Sequence, residues 1–288
     1  MKTNKIFNTL AVFSFCLFCC GISRHDADPA GLKELASAKQ FNCVGKAIEN
    51  GKSIGSGVLI SSRYVLSAAH VLMTANQMFT KKRKIDQLEP ADFAFDFNGN
   101  TYQVKKITVH PDAGLQGVAS GTDLMLLELE KAVPDVDFPA LNTKFDELGS
   151  QVTGVGFGVS GIVSAKGSLK NEIHGVKSAG KNVVDKFSGM EINGKPSLLQ
   201  LDFDSPDNPS VSKMGSDKPI AFEYTPAGGD SGGGLFRMVN GKPELVGILH
   251  STESDMENFR KNGYYGEVSN WTRVSIFTGW IKKTISVN

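Results

Sequence analysis

The chain has 288 residues, 40% of them hydrophobic and 21% charged, an ordinary balance that allows one large all-β domain or two small domains with a sizeable core. With 31 basic against 30 acidic side chains the formal charge is +1, which excludes the one-signed field that nucleic acid or an anionic membrane surface attracts.

The chain opens with "MKTNKIFNTLAVFSFCLFCCGIS", where Lys2 and Lys5 precede an apolar stretch from about Leu10 to Ile22 and small residues stand at Gly21 and Ser23. That order predicts a signal peptide over residues 1–23 and an exported protein, secreted or periplasmic. No later run approaches the ~20 apolar residues of a membrane-spanning helix. Cys16, Cys19 and Cys20 fall in this leader, so its removal leaves Cys43 alone, without an internal disulfide and expected to be a small buried hydrophobe. A lipid anchor through Cys20 is the alternative, and Phe18 and Cys19 before it fit the usual small-residue signal poorly. Residues 24–40 are polar, with a short helix expected around Leu32 to Ala38, and read as a pro-segment or a surface-packed arm.

From Phe41 onward, short apolar or alternating runs such as "VGKAI", "GSGVLIS", "YVLSAAHV", "DLMLLELE", "QVTGVGFGV" and "ELVGILHS" recur between turn signals, the spacing of an all-β sandwich or barrel. The basic run "KKRK", 81–84, reads as a solvated loop, with contact to an anionic partner as the alternative. Hairpin turns are expected in "FNGNTY", 97–102, and in "MVNGKPEL", 238–245, where Asn240-Gly241 suits a tight primed turn. A helix is predicted at the end, about 275–287, because Phe277, Ile281 and Ile285 recur at four-residue spacing and Ile276 and Trp280 widen that face.

The stretch "AGGDSGGGLF", 227–236, sets five glycines around Asp230 and Ser231, a poor recipe for a helix or a packed strand. Such a cluster marks backbone that must bend unusually or be approached closely, and the serine is what it presents. A serine hydroxyl is a feeble nucleophile at neutral pH, so a catalytic serine needs a base and a third group to orient that base. Among the histidines, His25, His110 and His174 read as structural or surface residues. His70 closes "SGVLISSRYVLSAAHV" among small residues that leave room for an imidazole. Asp123 stands just before the apolar run of "GTDLMLLELE", where a partly buried carboxylate needs a partner.

The ordered set His70, Asp123 and Ser231 resembles the chymotrypsin-like (trypsin, S1) family of serine proteases. The matching stretches are "GVLISSRYVLSAAHV", "TDLMLLEL", "TGVGFG", "GGDSGG", "LVGILHS" and "WTRVSIFTGWIKKTI", which together span about 41–287. The resemblance implies a fold of two antiparallel six-stranded β-barrels with a C-terminal α-helix. Barrel one, about 41–140, would carry His70 and Asp123. Barrel two, about 150–274, would carry Ser231, with the crossing near Phe138 to Gly149. A protein or peptide substrate would lie between them, and the expected protein is a monomer without cofactor. The implied roles are Ser231 as nucleophile, His70 as base and then acid, Asp123 as the orienting carboxylate, and the backbone amides of Gly229 and Ser231 as the oxyanion hole.

The sequence departs from the family in three places. No Ile-Val-Gly-Gly-like tetrad precedes "SGVLIS", so what satisfies Asp230 in place of a new terminal ammonium is open. The flanking cysteines of animal relatives are replaced, by Val71 after His70 and by Ala227 four residues before Ser231, which fits a disulfide-free, bacterial secreted member. Thr225 stands six residues before Ser231, where an aspartate would select arginine or lysine. With Ser251, Thr252 and Ser269 as the implied pocket walls, the expected first residue is small or acidic. His250 has three readings: a bond to Asp123, a place in the pocket beside an acidic side chain, or plain packing. "GDSGG" also fits the nucleophile elbow of esterases, which needs a helix directly after the serine. A protease-like binding module without turnover is the other alternative. No HExxH or paired-cysteine spacing suggests a metal.

Overall fold

The alternating runs fold as strands, and the computed structural model describes residues 21–72, 88–113, 121–165, 169–253 and 263–286; the KKRK run lies outside them. In chain order the strands are β1 (Ile22–Ser23), β2 (Val44–Glu49), β3 (Lys52–Leu59), β4 (Tyr64–Ser67), β5 (Phe93–Phe97), β6 (Asn100–Val109), β7 (Met125–Leu129), β8 (Ala140–Leu141) and β9 (Gln151–Gly156). They continue as β10 (Val159–Val163), β11 (Leu169–His174), β12 (Ser178–Val183), β13 (Lys186–Ile192), β14 (Lys195–Asp202), β15 (Tyr224–Thr225), β16 (Gly234–Val239), β17 (Lys242–Glu253) and β18 (Val268–Arg273). Two α-helices, α1 (Pro29–Ser37) and α2 (Val274–Ser286), stand near the two ends of the described chain.

Strands β2 to β7 close a barrel in the order β2-β3-β4-β7-β6-β5. Its inward residues, among them Leu59, Val65, Phe95, Phe97 and Leu127, are buried, as the alternation requires. The hairpin turns at Asn98-Gly99 and Asn240-Gly241 both have positive φ at the two central positions, the primed geometry that matches strand twist.

The second half forms a sheet in the order β12-β9-β16-β17-β18-β14-β13, with β8 added parallel to β17. Its two ends, β12 and β13, are consecutive, with only Val184 and Asp185 between them. Val184 N–H donates to Ser150 O on the β9 side, and Asp185 N–H donates to Gln200 O on β14. One bent run of chain therefore joins both ends of the sheet, and counted as a single strand it gives the six of the expected second barrel.

A third sheet, β11-β10-β1-β15, was not foreseen. It takes in Ile22 and Ser23, both fully buried, and the segment after them packs as an arm. Helix α1 begins earlier than expected because Asp28 caps it, accepting from the N–H groups of Ala30 and Gly31, and Pro29 supplies its first turn. Leu32, Ala36 and Phe41 of this arm enter the main core.

Helix α2 lies where its apolar stripe predicts and buries Val274, Phe277 and Ile281. Phe277 and Trp280 set their rings edge-on to His110, with centroids at 5.1 and 5.0 Å, so the helix that ends half two also covers half one. His110 is thus a packing residue, and burial holds its pKa below the usual histidine value. At the start of α2, Glu147 from the crossing segment receives Arg273 at 2.6 and 3.1 Å and the Ser275 hydroxyl at 2.7 Å. The guanidinium carbon lies 4.0 Å from the centre of the Phe187 ring.

Buried carboxylates fasten the connection from β14 to β15. Asp202 Oδ2 accepts the N–H groups of Lys213 and Met214, and Glu223 accepts those of Asp204 and Ile220. Burial, with repulsion from neighbouring carboxylates, pushes Asp185 up to about 7, Asp204 to about 6 and Glu223 to about 8.

Two outcomes follow from these buried groups. Glu147→Ala leaves a buried guanidinium unpaired and should lower unfolding free energy by about 3–5 kcal/mol in urea titration. The raised acids keep protons in the folded state that the unfolded chain releases above about pH 4, so their stabilising contribution declines as pH rises through the folded values. The melting temperature should therefore fall between about pH 5 and pH 8, with a shallower slope in Glu223→Gln.

Candidate active site

Antiparallel pairing sets Ser67 of β4 opposite Met125 of β7. His70 lies three residues beyond Ser67 and Asp123 two residues before Met125, so both leave the barrel at the same end. Asp123 Oδ1 accepts the His70 backbone N–H at 2.8 Å, and Oδ2 accepts the ring Nδ1–H at 2.5 Å. Burial alone would raise this carboxyl, which is 7% exposed, but the hydrogen bond and charge of His70 and the nearby His250 hold it below the usual aspartate value. An ionised Asp123 makes Nδ1 the protonated nitrogen and leaves Nε2 to accept a proton.

Ser231 comes from the opposite half, yet its loop is pressed against β3 and β4. Ser56 N–H donates to Ser231 O at 2.8 Å. A side chain on Gly232 would sit 2.2 Å from Ser67 Oγ and 2.3 Å from Ser56 O, so only glycine allows this approach, and its φ of +81° suits glycine as well. The hydrogen bond of the imidazole goes to Asp123, and among the described residues none runs from Ser231 Oγ to His70. Within the loop, the N–H groups of Asp230, Gly232 and Gly233 donate to Ala227 O, Leu249 O and Asp230 O. No backbone hydrogen bond among the described residues takes up the N–H of Gly229 or Ser231. Gly229 has φ +95°, a conformation that a residue with a Cβ rarely adopts.

The partner of Asp230, open in the sequence, is the main chain: Oδ1 accepts the Gly158 N–H at 2.7 Å and Oδ2 the Ala227 N–H at 2.9 Å. Burial pushes this carboxyl up to about 6 against those two bonds. Ser56 was missed altogether. Its buried hydroxyl donates to Gly229 O at 3.0 Å and accepts the Phe157 N–H at 2.9 Å, tying β3 to the nucleophile loop and to the turn between β9 and β10. A serine between two glycines in "GSGVLIS" carries no signal of that role.

The implied pocket residues divide. Thr225 is buried and donates through Oγ1 to Glu267 Oε2 at 2.9 Å, and the Thr252 hydroxyl also bonds to Glu267. Ser251 is half-buried and accepts from Asn270 Nδ2. Ser269 is turned into the sheet, where its hydroxyl accepts from Trp271 Nε1 and donates to Leu201 O. Glu267, whose carboxyl burial pushes up to about 7, was not singled out. It stands one residue before β18, whose sequence VSNWTR is mostly polar and carries no signal like the apolar run after Asp123. His250 is buried, with its ring centre 6.5 Å from that of His70, beside the His70–Asp123 pair. His25 contacts Tyr265 and Asp207, and His174 is an exposed neighbour of Glu172. After Ser231 comes the β16–β17 hairpin and not a helix, so the nucleophile-elbow geometry of an esterase is absent.

The family model described as Trypsin matches residues 34–281. None of the curated proteins matches the chain.

Removing the Ser56 hydroxyl leaves the half-buried Phe157 N–H without its acceptor. Ser56→Ala should lower unfolding free energy by about 1–3 kcal/mol, read from the urea midpoint at unchanged slope.

Proposed function

This chain belongs to the trypsin family, and we propose on that footing that it is an active serine endopeptidase working through His70, Asp123 and Ser231 by way of an acyl-enzyme. The observation that carries the reading is the His70–Asp123 double hydrogen bond standing beside a glycine loop whose Gly229 and Ser231 amides no backbone carbonyl among the described residues takes up. Ser231 Oγ attacks the scissile carbonyl as His70 Nε2 takes its proton, and the two amides receive the negative charge on the carbonyl oxygen. His70 then returns the proton to the departing amine, and a water deprotonated by the same nitrogen hydrolyses the ester. Asp123 keeps the ring in its tautomer and stabilises the imidazolium. A serine–imidazole bond that tightens only with substrate is usual for such sites.

Thr225, Thr252 and Ser251 narrow the pocket and favour a small first residue. Glu267 bonded to both threonines disfavours an acidic one once it ionises, which weighs against the acidic reading. The leader-like start of the chain supports export, and no helix among the described residues is long and apolar enough to cross a membrane. Cys43 is buried with its thiol pushed up to about 12 by desolvation, which fits an inert packing residue.

A fluorophosphonate should label the fully processed protein, and Ser231→Ala should abolish the labelling. Asp123→Asn should lower kcat by about 10⁴-fold through the wrong tautomer. Wild-type protein that neither labels nor cleaves any member of a peptide library would instead be a binding module.

A further inference from the structure

Building on the nucleophile role of Ser231, we propose that strand β1, Ile22–Ser23, is a positioning element for the nucleophile loop and stays in the mature protein. The two N–H groups that hold Asp230 come from separate segments: Gly158 stands one residue before β10, and Ala227 two residues beyond β15. Strand β1 lies between these two strands. It pairs parallel with β10 through Ile22 and Gly161, and antiparallel with β15 through Ile22 and Thr225. β15 is the edge of that sheet and β1 the strand it pairs with there, while Asn182 Nδ2 of β12 donates to Tyr224 O from outside the sheet.

Side chains repeat the link. Ile22 is 0% exposed and forms a cluster with Val163 and Phe203, against which Ala227 packs. The residue that donates to Asp230 thus rests on the cluster that Ile22 completes. Arg24, next in the arm, donates from Nη1 to Ile220 O at 2.6 Å, fixing the approach to β15. A main-chain clamp here takes the place of the terminal ammonium that reaches this aspartate in relatives activated by cleavage. Cutting the leader after Ser23 would remove the clamp, so processing that leaves a working protein falls ahead of Ile22.

The test uses the full chain with Ile22→Ala and the conservative Ile22→Val. Four quantities are measured: the rate of fluorophosphonate labelling at Ser231, the melting temperature, amide hydrogen exchange at Gly158 and Ala227, and the intact mass of the exported wild type. Ile22→Ala should slow labelling by up to about a hundred-fold, the scale on which a misplacement of about 1 Å weakens positioned chemistry, and speed exchange at both amides while β2 to β7 stay protected. Ile22→Val should recover most of the rate, and the wild-type mass should include Ile22. If Ile22→Ala does not fold, Ile22→Val carries the same comparison with a smaller expected change. Unchanged labelling and exchange in the folded variant would overturn the proposal, as would a fully labelled mature chain that begins after Ser23. Faster exchange in a protein whose wild type never labels would uphold the clamp and remove the nucleophile reading alone.

Discussion

A carboxylate that meets no cation among the described residues, held by two main-chain N–H groups, is the constraint on which the serine loop depends. Asp230 is 3% exposed, and burying its charge is tolerable only because both oxygens accept hydrogen bonds. Those bonds close Ala227 to Asp230 on itself and tie it to Gly158 in the turn between β9 and β10. A run this rich in glycine has no shape of its own, since glycine gives up more freedom than any other residue on folding. The aspartate imposes the shape, and Ser56 and Gly232 then set it against the barrel that carries His70.

Dividing a three-residue site between two halves of a chain demands that the halves not slide, because small misplacements are enough to weaken positioned chemistry. Several fasteners answer that demand. Ser56 bonds across the interface near the site. Farther away, the C-terminal helix reaches back to His110, and Glu147 in the crossing segment meets Arg273 and Ser275 where that helix begins. The ion pair is fully enclosed, which gives it an all-or-none character: whole, it fixes the crossing; halved, it leaves an uncompensated charge.

What was legible in the sequence had a local or motif signal. Period-two runs, Asn-Gly turns and the four-residue stripe of α2 are short-range patterns, and the stretches around His70, Asp123 and Ser231 each carry several residues that must occur together. The unread parts depend on partners distant in sequence. Ile22 and Ser23 close an apolar run and looked like the tail of a leader, and a two-residue strand has no periodicity to betray it. Ser56 reads as a small residue in a turn until Phe157 and Gly229 are brought to its hydroxyl. The corner at Val184 and Asp185 gives no sign that one run of chain serves both ends of a sheet.

The long connection between β14 and β15 is fastened by Asp202 and Glu223 to backbone amides, and the cysteine among the described residues, Cys43, is buried and unpaired. Fastenings of this kind are hydrogen bonds and not covalent cross-links. Thiol reductants that dismantle cross-linked secreted proteins find no disulfide to cut among the described residues.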